Sequence, residues 1–232
     1  MIMKNTMKTL LFNMLACVLL PVTALGQTYT NGVYIQNGKT FEVDKRVCQF
    51  TPTNSSEVLY FSNELIAKVY TNGNFMVNGF YQEVLNKKST PEKAKFGVHN
   101  FAASVLNGTT LVAYSGGDSN SSCTVSTPMT DVELSKGIFY FEVTEKKVIV
   151  AVLEGSMKYY IGKKENLLTI GQAVIAEPSD VGILENKISV SPGKVNTDAM
   201  KKLTASSKEI TNLKGTILFS RIDGKLIGIL ID

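Results

Sequence analysis

Tryptophan is absent from this chain, histidine occurs once and cysteine three times. A single histidine, His99, cannot assemble a histidine-rich metal site, and its neighbours Val98 and Phe101 read as a strand. The cysteines, Cys17, Cys48 and Cys123, never stand two residues apart, which removes the usual zinc and redox spacings. A serine-hydrolase elbow needs Gly-x-Ser-x-Gly; Glu154-Gly155-Ser156-Met157 lacks it. Ser115-Gly116-Gly117-Asp118 has no strand-to-helix context for a phosphate loop. Asp118, Ser119 and Asn120 form an oxygen-rich cluster of the kind that binds calcium loosely, although a Gly/Ser/Asp loop is ordinarily a turn. Asp131, Glu133 and Glu142 fall on expected strand faces, where solvated surface explains them. The expectation is a protein that is not an enzyme, with no catalytic residue, no metal and no cofactor.

Charge of one sign is also scarce. Lys and Arg number 24 against 20 Asp and Glu, and the densest basic run is a pair such as Lys87-Lys88. Nucleic-acid binding therefore has no electrostatic support. Long apolar runs are missing after the amino terminus, so no stable membrane span is expected in the processed chain. The amino terminus itself reads as a signal peptide over residues 1–26. Lys4 and Lys8 precede a mostly apolar stretch from Leu10 to Val22, and Ala24-Leu25-Gly26 offers a cleavage site before Gln27. Asn13 and Pro21 interrupt the stretch, which is short for ~30 Å of hydrocarbon. Met14-Leu15-Ala16 is a poor lipobox for Cys17. The chain is read as periplasmic or secreted, and bacterial.

Cys48 and Cys123 survive that processing. In an oxidising compartment they are a candidate disulfide, closing a loop of about 75 residues worth roughly 4 kcal/mol by chain entropy. Two separately buried thiols are the alternative.

What is present is period-two patterning. Gly137–Val143, Val148–Val152 and Met157–Ile161 read as strands, separated by Glu145-Lys146-Lys147 and Glu154-Gly155-Ser156, with Gly162–Asn166 as a further turn. Val58–Phe61, Leu65–Tyr70, Asn74–Val77, Phe80–Leu85, Ala102–Leu106, Thr110–Tyr114 and Thr124–Ser126 are further candidates. The spacing predicts an all-β fold: a multi-stranded sandwich, roll or β-helix-like stack. A weak repeat relates Tyr29-Thr30-Asn31-Gly32 to Tyr70-Thr71-Asn72-Gly73, and its Asn-Gly pairs suggest similar hairpins. Residues 27–178 form the expected β-rich domain. Residues 179–232 are read as linker, a short helix from about Thr197 to Lys208 capped by Asn196, and a hairpin around Asp223-Gly224 that packs on the core.

From about Cys123 to Ala176 the chain resembles the FecR-type periplasmic domain. The residues that carry the resemblance are Val125-Ser126-Thr127-Pro128, then Gly137-Ile138-Phe139-Tyr140-Phe141-Glu142-Val143. Val150-Ala151-Val152-Leu153-Glu154-Gly155-Ser156-Met157 and Leu168-Thr169-Ile170-Gly171-Gln172 follow in the family's order. Ile138 stands where that family usually has Thr. Only about nine residues precede the apolar stretch, so the amino-terminal anti-sigma segment of FecR-like signalling proteins is not expected here. The resemblance implies a stand-alone exported domain acting through contact with an envelope or outer-membrane protein, in signalling or envelope assembly. A glycan-binding or structural envelope module is the alternative, with Tyr29, Tyr34, Tyr70 and Tyr81 as stacking groups; a hydrolase with an unrecognised site is the rival from another class.

Overall fold

The structure is a computed structural model, and it describes residues 29–43, 48–85, 92–161, 164–176, 188–189, 205, 207–208, 210–212, 217–222 and 225–230. The proposed cleavage site, Gly26 and Gln27, lies outside them. The fold is all-β with little helix. Among the described residues no helix is long and apolar enough to cross a membrane.

One continuous sheet of 14 strands folds back on itself as a sandwich-like roll. Strands are numbered in chain order. The first layer runs β3 (Lys39–Glu42), β2 (Val33–Gln36), β5 (Glu57–Phe61), β6 (Leu65–Val69) and the second half of β9 (Phe96–Tyr114). It continues through the second half of β11 (Asp131–Val143), the first half of β12 (Val148–Ile161), β14 (Ala173–Ala176) and β15 (Ile188–Ser189). In the second layer β1 (Tyr29–Asn31) and β4 (Cys48–Phe50) both pair with β7 (Asn74–Val84). The first half of β9, then β10 (Ser122–Ser126), the start of β11, the end of β12 and β13 (Lys164–Thr169) complete it. Phe61 of the first layer meets Phe80 and Phe101 of the second at ring distances of 6.2 and 5.1 Å.

Three of these strands, β9, β11 and β12, belong to both layers, and glycine makes that possible. On β12, Val148, Val150 and Val152 face the core, then Met157 and Tyr159 do, so the inward positions change from even to odd. β11 changes from even (Val132, Leu134) to odd (Phe139, Phe141, Val143), and β9 from odd (Phe101, Ala103, Val105) to even (Val112, Tyr114). One extra residue in a strand does this, because the side-chain period is two. The changes coincide with register shifts at Gly137 and Gly155 and with left-handed Gly108 (φ 73°). β7 shifts register beside Gly79.

This arrangement corrects several readings of the sequence. Glu154-Gly155-Ser156 is a bulge inside one 14-residue strand rather than a turn. The expected pairs Asn74–Val77 with Phe80–Leu85, and Ala102–Leu106 with Thr110–Tyr114, are likewise single strands. The 41-residue repeat does not mark similar hairpins. Asn37 and Gly38 (φ 50° and 73°) make the favoured type I′ turn between β2 and β3. Asn72 is left-handed while the Gly73 amide donates to Tyr70 at 2.8 Å, and Asn78-Gly79 is a mid-strand irregularity.

Cys48 and Cys123 carry thiols and are not bridged. Cys48 pairs with Val77 and Cys123 with Phe101, on the successive strands β4, β7, β9 and β10. Three inter-strand steps of ~4.8 Å separate them by roughly 14 Å. A disulfide requires Cα atoms within about 7 Å.

A second sheet joins β8 (Glu92–Lys93), β16 (Ile217–Ile222) and β17 (Lys225–Leu230). Its Phe219 packs with Val33, Ile35 and Ala94, and the Gly228 amide donates to Thr40 Oγ1 at 3.0 Å. Helical backbone occurs at 205, 207–208 and 210–212, where Ile210 is buried against Ile66, Leu111, Ala113 and Ile138. The earlier part of the expected helix, with Met200 and Leu203, lies outside the described residues.

Candidate functional site

Because β9 doubles back, its two ends meet. His99 near its start and Tyr114 at its end are joined at 2.6 Å between Nε2 and the phenol oxygen. Around this pair lies a groove of about 880 Å³. Its walls are the β5–β6 turn (Ser62-Asn63-Glu64), the start of β9, the loop 115–121 and the segment 133–136 of β11.

His99 is almost fully buried, and burial pushes its imidazole below the ordinary histidine value. A hydrogen bond to the Gly97 backbone and the nearby Asp118 and Glu64 carboxylates oppose that shift without reversing it. The ring is therefore neutral. The neutral ring and the Tyr114 hydroxyl share one hydrogen bond at Nε2, each group being able to donate or accept. Burial also holds the Tyr114 phenol above its ordinary range. The His99 amide donates to Ser121 Oγ at 3.1 Å, fixing the 115–121 loop to the strand. Gly117 lies so near that an added Cβ would stand 2.5 Å from His99 Cε1.

The β5–β6 turn carries the other unusual features. Glu64 is left-handed (φ 60°), and its amide donates to the Phe61 carbonyl at 3.1 Å. Glycine is the ordinary choice at such a position in a three-residue hairpin loop. Ser62 is fully buried, accepts the Val33 amide at 3.2 Å and donates to Gln82 Oε1 at 2.8 Å. Asn63 is 3% exposed, and neither its Nδ2 nor its Oδ1 has a hydrogen-bond partner. A buried carboxamide without partners costs on the order of 1–3 kcal/mol.

A second feature is the outer edge of β13. Among the described residues this strand has one strand neighbour, β12. Leu167 and Ile170, at 60% and 64% exposure, are the most exposed of the large apolar side chains described. Glu165 is tied back to Lys158 at 3.3 Å, and Tyr160 donates to Glu133 at 3.1 Å. The Lys158 contact holds β13 against β12, and among the described residues the strand's other edge has no strand neighbour.

The groove brings together two residues the sequence singled out, His99 and Asp118, in different roles from those considered. Asp118 faces a histidine, and among the described residues no cluster suited to a metal occurs. Tyr34 is buried in an aromatic cluster with Phe41, Phe50 and Phe61. Tyr70 is half-buried beneath the Lys68 ammonium. Tyr29 and Tyr81 are exposed and lie diagonally across the β1–β7 ladder. Asn63 and Glu64 escaped the sequence reading; their turn was visible as a polar break between two apolar strands, its burial and backbone strain were not.

No model of a known family matches the sequence, and no curated protein matches it. Among solved structures, the chain is similar to two crystal structures of a candidate anti-sigma factor from Parabacteroides distasonis. The first has 12% identity and a TM-score of 0.42, over 61% of this chain and 60% of that one. The second has 12% identity and a TM-score of 0.40, over 60% and 59%. The chain thus spans about three fifths of those proteins, and its function must be read from its own residues.

Proposed function

We propose that this chain is an exported, non-enzymatic, FecR-like contact module of the bacterial cell envelope, which takes an extended segment of a partner protein onto the edge of β13. The observation that carries the reading is that edge, with Leu167 and Ile170 exposed beside it. Backbone hydrogen bonds would supply affinity, and the apolar side chains specificity. The resemblance over 123–176 supports a periplasmic setting, and a signalling or assembly role follows from the same resemblance.

A photo-crosslinking residue in place of Leu167, introduced in the native cells, tests the proposal. An adduct with one envelope protein, lost when Ile170 is also changed to Lys, is the expected result. No adduct at Leu167, with a robust one from the opposite edge at Phe41, overturns the β13 assignment. Recovery of a mature chain beginning at Gln27 from the periplasmic fraction checks export independently.

Tyr29 and Tyr81 favour a second reading, a stacking surface for an envelope glycan. Calorimetric titration with a glycan panel separates the two: heat abolished by Tyr81→Ala supports it, and none across the panel removes it.

A further inference from the structure

We propose that the groove at the His99 end is a second, separate peptide-binding site, in which the Asn63 carboxamide pairs with the N–H and C=O of one residue of an extended segment. This does not rest on the β13 reading, since it concerns different strands and a different edge of the molecule.

Three observations converge. The first is the orphaned amide. Asn63 lines the groove, is 97% buried, and its donor and acceptor both lack partners. Such groups are rare in folded proteins and call for a specific explanation. The second is strain. Glu64, next in the chain, holds a left-handed conformation that costs a non-glycine residue roughly 1–2 kcal/mol. Outliers of this kind gather at ligand clamps. The third is the opposite wall. Gly116 is left-handed (φ 86°), and Gly117 packs so closely on His99 and Ser121 that any side chain would strike them. Without side chains, these two residues present bare backbone on the groove wall.

The class of ligand follows from the chemistry. A carboxamide presents one donor and one acceptor side by side. A residue in extended conformation presents its own N–H and C=O on the same side, which is how two strands exchange paired hydrogen bonds. The groove walls carry Glu64, Asp118 and Glu133 against Lys95 and Lys136, a nearly balanced set that suits a neutral backbone more than an anion. The amide atoms have no solvent contact, so a ligand has to part the walls to reach them.

The experiment uses the full mature chain and a library of N-acetylated, C-amidated hexapeptides of random sequence, followed by 15N NMR. Saturable shifts of the Asn63 side-chain amide and of the backbone amides at 97–99 and 115–121 are expected. Asn63→Leu, which keeps the side-chain volume, is expected to abolish those shifts by at least tenfold in apparent affinity while raising the melting temperature. Wild-type binding that persists in Asn63→Leu overturns the proposal, as does the absence of any shift at millimolar peptide. If Asn63→Leu fails to fold, Asn63→Asp, which exchanges the amide donor for a second carboxyl oxygen, has to weaken binding for the proposal to stand.

Discussion

His99 and Tyr114 lie on one strand, 15 residues apart, yet their side chains meet at 2.6 Å. β9 turns back through Gly108 and lays its end over its beginning. The imidazole shares this hydrogen bond in its neutral form, because burial disfavours the charged ring.

Stability should therefore fall in acid. The folded-state value of His99 lies below its unfolded value of 6.5, so the unfolded chain binds the proton first. The contribution is complete above that value and is lost as pH drops below it towards the folded value. Urea midpoints from pH 8 to 5 are expected to decline with a component that His99→Gln removes.

Gly137 and Gly155 face each other across the β11–β12 ladder. A Cβ on Gly155 would collide with the Lys136 carbonyl, and its φ of 81° already disfavours any other residue. Gly171 has nearly the same φ, 80°, with nothing near its missing Cβ. Gly155→Ala is expected to cost about 2–4 kcal/mol and Gly171→Ala only about 1 in chemical denaturation. Equal costs at the two sites would show that crowding at the bulge is unimportant.

Glu64→Gly is expected to stabilise the fold by about 1 kcal/mol, since glycine adopts the left-handed conformation freely. Loss of stability on that change would mean the carboxylate makes a contact worth more than its strain.

The cysteines are expected to behave as two independent thiols. Burial, with Glu133 nearby, raises the Cys123 thiol well above its ordinary range. Under native conditions it should resist alkylation, and after unfolding without reductant both Cys48 and Cys123 should be labelled. An intact mass two daltons lower, restored by reductant, would contradict the geometry.

Much of the fold was legible in the sequence. The hydrophobic alternation of Phe139 to Val143 and Val148 to Val152 placed strands correctly, and Asn37-Gly38 is the turn its chemistry favours. The long strands were read as broken because a glycine bulge and a glycine turn have the same local composition. The inward positions keep a trace of the difference: the apolar residues resume after Gly155 with their parity reversed, where a hairpin turn imposes no such constraint. The groove left no comparable trace. Its residues come from five separated segments, and the two that distinguish it, Asn63 and Glu64, do so through burial and backbone conformation. The disulfide reading failed for a related reason. Loop length says nothing about how many strands will be inserted between two cysteines.

The strands shared between layers have a mechanical consequence. A pull on β13 loads β12 directly, and β12 continues, without a break in the chain, into the opposite layer beside β14. Tension there crosses the molecule through covalent bonds and backbone ladders and bypasses the side-chain interface between the layers. Gripped at that edge, the roll would behave as a single taut frame, with the paired glycines at 137 and 155 as its corner joint.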